Sequence, residues 1–182
     1  NYWADVPEVI AGRDLEAGGT WLGITRSGRF AAVTNVREPN AAKGLHSRGR
    51  LTQAFLAGRH SAAEHVARIA MGDYSGFNLL VGDGGSLWYC SNRGAKPLEL
   101  APGVYGLSNH LLDSPWPKLL TARQRFTLAM ARLPDREPLF GILADDEIVP
   151  DTELPDTGIP LDWERRLSAI FVRAEGYGTR AS

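Results

Sequence analysis

The stretch Gly18–Pro39, GGTWLGITRSGRFAAVTNVREP, constrains this chain more than any other. Thr20, Trp21, Leu22, Gly23, Ile24 and Thr25 are mostly β-formers, and Phe30, Ala31, Ala32, Val33 and Thr34 make a second such run. Between them, Arg26-Ser27-Gly28-Arg29 offers a glycine for the positive φ that a hairpin turn needs. The pattern predicts two antiparallel strands whose second member ends in a polar burst, Thr34, Asn35, Arg37 and Glu38, closed by Pro39. A rigid strand that opens onto clustered polar groups is a common way to build a site, and an equally ordinary way to end a strand.

The rest of the chain reads as further hairpins and short helices. Asn1 to Leu15 is expected to run over the surface with little regular structure, broken by Pro7 and Gly12 and anchored by Trp3. Leu51, Phe55 and Leu56 share one face of a helix beginning near Ser47 and capped at Gly58. Ser61-Ala-Ala-Glu64 is a capping-box pattern for a second helix, with Val66, Ile69 and Ala70 as its apolar stripe. Phe77 to Gly82 and Leu87 to Ser91 read as strands around the turn Asp83-Gly84-Gly85-Ser86. Leu98 to Leu100 and Val104 to Ser108 are further candidate strands, split by Pro102-Gly103. Leu119, Ala122, Phe126, Ala129, Met130 and Leu133 give a longer helix over Lys118 to Leu133, and Pro138 starts a short one through Ala144. Asp145 to Asp162, acidic and with three prolines, reads as a surface loop; Trp163 to Val172 as a helical turn; Tyr177 to Ser182 as the opening of a strand. Hairpins outnumber strand–helix–strand alternation, which favours the α+β class, with an antiparallel sheet and helices on an outer face. At 182 residues, one domain with a sizeable core is expected.

Charge and motifs narrow the function by exclusion. With 20 basic against 21 acidic residues the chain has no footprint for nucleic acid and no polybasic membrane patch. No apolar run is long enough to span a bilayer. The single cysteine, Cys90, excludes an internal disulfide and a multi-cysteine metal site, fits a reducing, cytoplasmic setting, and reads as a packing thiol in the strand Trp88-Tyr89-Cys90-Ser91. His46, His60, His65 and His110 show no metal-ligand spacing, and Asp145-Asp146-Glu147 reads as a solvated charge run, so no metal site is assigned. The glycine-containing stretches match neither a dinucleotide fingerprint nor a phosphate loop.

Three polar strand ends remain: Thr34-Asn35, Ser108-Asn109-His110, and Tyr177-Gly178-Thr179-Arg180. Two amides and a guanidinium meeting at one edge would suit a polarised carbonyl or a carboxylate, because amide N–H groups stabilise an oxyanion and arginine holds carboxylate in bidentate fashion. Pro115 and Pro117 stiffen the loop around Trp116 and fix its ring. Asn35, Asn109 and Arg180 are the expected catalytic groups, and Thr34, Trp21, Ser108, His110 and Trp116 the expected substrate contacts.

Ala11-Gly-Arg-Asp14, Gly18-Gly-Thr-Trp-Leu-Gly23, Gly28-Arg-Phe-Ala-Ala-Val-Thr-Asn35, Arg48-Gly49, Gly76-Phe-Asn-Leu-Leu80, Tyr89 with Ser91-Asn-Arg-Gly94, Gly103-Val-Tyr-Gly-Leu-Ser-Asn109, Pro115-Trp-Pro-Lys118 and Tyr177-Gly-Thr-Arg180 together resemble the NRDE family, also called the transport and Golgi organization protein family. The resemblance implies an N-terminal-nucleophile (Ntn) hydrolase-like αββα sandwich of two stacked antiparallel sheets. It implies an N-terminal cysteine nucleophile whose own amine is the base, and an Asn-Arg-Asp-Glu motif beside it. Neither occurs here, so this chain is expected to be one family domain lacking that segment and the closing strands, and inactive alone. By the resemblance Asn35 and Asn109 are oxyanion or substrate-amide contacts, Arg180 stands near the nucleophile, and a small-molecule C–N amide bond is the expected substrate, with no cofactor. The alternative it implies is non-enzymatic handling of haem or of acyl-coenzyme A and lipid, with His110 a candidate haem ligand. The partners expected are a small molecule and the chain's own missing N-terminal segment.

Overall fold

Six strands, each hydrogen-bonded to the next in sequence, make one antiparallel sheet: β1 (Val9–Ala11), β2 (Leu22–Thr25), β3 (Phe30–Asn35), β4 (Phe77–Gly82), β5 (Leu87–Ser91) and β6 (Leu98–Glu99). The computed structural model describes residues 2–174, and these fall into two compact units. The first takes the chain up to Val36 together with Asn40–Gly103, and the second takes Arg37–Pro39 together with the chain from Val104 onward. The sheet lies wholly within the first unit.

The predicted central hairpin is β2–β3, with Gly28 at φ 86° in its turn. Alternation along β3 sends Ala31 and Val33 into the core. Register aligns them with Val81 and Leu79 of β4, and Leu79 in turn with Cys90 of β5. Onto this face pack α1 (Gly49–Ala57), through Leu51, Phe55 and Leu56, and α2 (Ala62–Ala67), through Ala62 and Val66. Phe55, Phe77, Leu79 and Val81 are wholly buried, and each such side chain contributes roughly 1.5–3 kcal/mol of apolar transfer.

Polar devices position the helices. The capping box is formed: the Glu64 N–H donates to Ser61 Oγ at 3.2 Å and the Ser61 N–H to Glu64 Oε2 at 2.9 Å. Gly19 lies so close to α1 that a Cβ there would stand 2.4 Å from the Gly49 carbonyl carbon. This close approach lets the Thr52 hydroxyl reach the carbonyls of Thr20 and Gly49. Arg29 lies over the Phe55 ring and donates to the Phe55 and His60 carbonyls, satisfying the orphaned end of α1. Asn92 pins the loop before β4, donating to the Met71, Tyr74 and Ser75 carbonyls while accepting from the Phe77 N–H at 2.9 Å.

The second unit contains α3 (Pro117–Met130), α4 (Glu137–Leu143) and α5 (Leu161–Arg166), with a short 3-10 turn at Asp151–Glu153. Ala129, Ile142 and Ile170 form one apolar cluster, flanked by Ala122 and Leu139; Leu167, Val172 and Ala174 form another, with Ile159 and Trp163.

The α+β class holds, with five α-helices and the six-stranded sheet. Among the described residues there is one sheet. Two local expectations are corrected. The N-terminal approach contains a strand, β1, because Val9, Ile10 and Ala11 pair with β2, and Trp3 is buried against them as expected. Val104 to Ser108 is not a strand: the Gly106 N–H donates to the Asp113 carboxylate and the Gly106 carbonyl accepts from the Asp113 N–H, so neither group joins a ladder. Tyr177 to Ser182 lies outside the described residues. No helix among the described residues is long and apolar enough to cross a membrane.

Candidate functional site

The polar end of β3 carries a buried side-chain network on the sheet face turned away from α1. Asn78, wholly buried on β4, donates through Nδ2 to Thr34 Oγ1 at 3.2 Å and accepts from the Tyr89 hydroxyl at 2.8 Å. Beside it the Ser91 hydroxyl donates to the Phe77 carbonyl at 2.7 Å. Asn35 closes β3 opposite Phe77 and is exposed. Trp21 precedes β2, half exposed, its carbonyl accepting from the Val33 N–H.

In the second unit, Asn109 and Trp116 meet at an arginine. Arg37 donates its backbone N–H to the Asn109 carbonyl at 2.7 Å. Its guanidinium lies 4.8 Å from the centre of the Trp116 ring and 2.7 Å from Glu164 Oε2. Both side chains of this ion pair are buried, Arg37 at 8% exposure and Glu164 at 4%. The other Glu164 oxygen accepts from the Thr157 N–H at 2.9 Å and from the Thr157 hydroxyl. His110 tilts against Trp116 with ring centres 5.6 Å apart. The Ser114 hydroxyl lies 2.6 Å from the Leu111 carbonyl and 2.6 Å from His110 Nδ1, hydrogen-bonded to both.

Beyond this cluster, segment 104–107 and helices α3 and α4 enclose a cleft of about 310 Å³. Its walls are mainly aliphatic and aromatic, including Leu107, Leu119, Phe126, Ile142 and Ile170. Phe126 at 39% and Leu143 at 53% exposure stand at its mouth. Lys118 reaches this cleft and a smaller, more polar one of about 200 Å³ bounded by Thr121, Arg125, Asp145 and Ser168. The Lys118 ammonium donates to the Leu167 carbonyl at 3.1 Å; burial, with the nearby Arg37 charge, pushes its pKa down to about 8. Cys90 is almost wholly buried, and burial pushes its thiol up to about 12, so it is not a thiolate nucleophile.

Ser108, Asn109, His110 and Trp116 therefore belong to the second unit, while Thr34, Asn35 and Trp21 belong to the first. Arg180 lies outside the described residues. Sequence reasoning gave no site role to Asn78, Tyr89 or Lys118, which it quoted only within motifs, and did not single out Glu164. Only Asn78 had a local signal: a polar side chain in the apolar run Phe77–Val81 must be either exposed or internally satisfied.

The family described as Transport and Golgi organisation 2 matches residues 1–182. The Transport and Golgi organization protein 2 homolog of Bos taurus is 35% identical over 206 residues, an alignment that spans 100% of this chain and 73% of that protein. The Homo sapiens homolog is also 35% identical, over 203 residues with the same coverage, and that of Mus musculus is 33% identical. The NRDE-type motifs read along the sequence and these matches, which span the whole of this chain, agree: the chain belongs to the transport and Golgi organization 2 family.

Proposed function

We propose that this chain is a small-molecule handler that holds an acyl-type or other lipid-like ligand in the cleft between α3 and α4. The cleft carries this reading. Its volume of about 310 Å³ lies at the lower end of the roughly 300–1,000 Å³ typical of ligand sites, and its mostly apolar wall with a few polar groups is the usual composition. The test is calorimetric titration of the chain with octanoyl-coenzyme A and with octanol. Phe126→Asp should weaken both about tenfold by removing apolar contact at the cleft, and a melting curve of the variant separates lost contact from lost folding. Unchanged affinity would remove the cleft from consideration. Haem suits this cleft less well, because no histidine, cysteine or methionine is among the described residues lining it; a Soret shift on titration at micromolar protein would overturn that preference.

Amide hydrolysis is the second reading, and the Thr34–Asn78–Tyr89 network favours it. A buried, fully bonded polar group behind the end of β3 is a rigid support for an oxyanion-binding Asn35. The nucleophile would be an N-terminal cysteine that this sequence does not contain. In a protein that carries it, cysteine-to-alanine substitution should abolish hydrolysis of an N-acyl amide; retained hydrolysis would sink this reading.

A further inference from the structure

Among the described residues, those lining the α3–α4 cleft include two cations, Lys118 and Arg123, and no carboxylate. An apolar groove with that charge balance suits an apolar molecule ending in an anion. Lys118 is committed to the Leu167 carbonyl. Arg123 is placed differently. Its stem crosses Gly106 so closely that a Cβ there would stand 3.0 Å from Arg123 Cδ and 3.3 Å from Cγ. Glycine at 106 thus lets the arginine lie along the cleft wall.

At the far end of that stem, Arg123 Nη1 meets Asp113 Oδ1 at 3.1 Å, in an ion pair whose side chains are 37% and 34% exposed. Half-exposed pairs of this kind are weak and easily exchanged. The Asp113 carboxylate has a second, independent anchor: Oδ1 accepts the Gly106 N–H at 2.7 Å, while the Asp113 N–H donates to the Gly106 carbonyl at 2.8 Å. The backbone of Asp113 sits in the left-handed region, at φ 56°, as this clamp requires. Arg123 can therefore leave Asp113 without stranding the carboxylate.

We propose that Arg123 is the anion-binding residue of the cleft, that the ligand it selects is an apolar monocarboxylate, and that Asp113 is the internal carboxylate for which the ligand is exchanged. This rests on the cleft being a ligand site. An arginine fork receives a carboxylate through two parallel N–H···O bonds, whereas an alcohol of the same length gains only the apolar contact.

The test compares octanoate with octanol by calorimetry on the full chain. Octanoate should bind about tenfold tighter at low salt, and added salt should erode its affinity while leaving that of octanol unchanged. Arg123→Gln should remove the preference for octanoate and spare octanol binding. Arg123→Lys, which keeps stem and charge, should leave part of it. Asp113→Asn should raise octanoate affinity severalfold, since asparagine tolerates the left-handed backbone and still accepts from Gly106 but no longer competes for the guanidinium. Equal binding of the two probes overturns the role of Arg123 and leaves the cleft reading standing. Weaker octanoate binding by Asp113→Asn, in a variant with unchanged melting, overturns the exchange. Failure of both probes to bind overturns the cleft reading and this inference together.

Discussion

Replacing Glu164 by glutamine probes the most deeply buried charge pair described here. Arg37 Nη1 and Glu164 Oε2 are 2.7 Å apart with little solvent access. The amide can keep its oxygen on Thr157, where the native carboxylate already accepts the backbone N–H. Its NH2 group then faces the guanidinium, donor against donor. The guanidinium keeps the Leu167 carbonyl at 3.5 Å and the Trp116 face among its partners, neither of which neutralises a charge. Breaking a buried pair on one side destabilises by about 3–5 kcal/mol. In a chain of this size that lowers Tm by roughly 6–20 °C. Urea unfolding followed by tryptophan fluorescence measures it, with Trp116 and Trp163 reporting on the second unit. The double variant Arg37→Met/Glu164→Leu should be less destabilised than the sum of its two single variants, because it leaves no lone charge. A loss below about 1 kcal/mol for Glu164→Gln, or strict additivity in the double variant, would refute the reasoning.

Three further outcomes are expected. His65 packs against Phe55 with Nε2 buried and unpartnered; burial lowers its pKa from 6.5, against a Leu51 backbone hydrogen bond and aided by the Arg29 and His60 charges. Below pH 6.5 the unfolded chain therefore takes up more protons than the folded one. Stability falls as pH drops through that value toward the lowered native one, by at most about 1.4 kcal/mol per pH unit, and His65→Leu should flatten this slope in urea titrations at successive pH values. Gly19→Ala forces a Cβ into the Gly49 backbone and should destabilise by about 1–3 kcal/mol, whereas Gly12→Ala, with open space around it, should not; melting curves of the two separate them. Cys90 should resist thiol-specific reagents at pH 8 in the folded protein and react once urea unfolds it, and rapid native labelling would contradict its burial.

What could be read along the chain was whatever is decided locally. The β4–β5 hairpin, the Ser61–Glu64 capping box and the Gly28 turn depend on neighbours in sequence, and they lie where their residues predicted. Strand β1 escaped notice because three residues carry no periodicity; pairing with β2 makes it a strand. The Val104–Ser108 segment has strand-like composition, but Asp113 captures its hydrogen bonds, a side-chain effect that composition does not encode. The helix stripe of Leu119, Ala122, Phe126, Ala129 and Met130 was legible, but not its division, in which Ala129 packs in an apolar cluster while Leu119, Ala122 and Phe126 line the cleft. The ion pair of Arg37 with Glu164 spans 127 positions and left no trace in either neighbourhood.

The tripeptide Arg37–Pro39 leaves the first unit at Val36 and returns to it at Asn40, yet belongs to the second. No single cut can therefore divide this polypeptide into its two halves. A piece beginning at Val104 would inherit Glu164 without the cation that balances it, so limited proteolysis between residues 103 and 104 should yield fragments that stay folded together and come apart only on denaturation. Tandem rearrangement or exchange of either half during evolution would face the same obstacle: a graft must carry three residues from the middle of its neighbour.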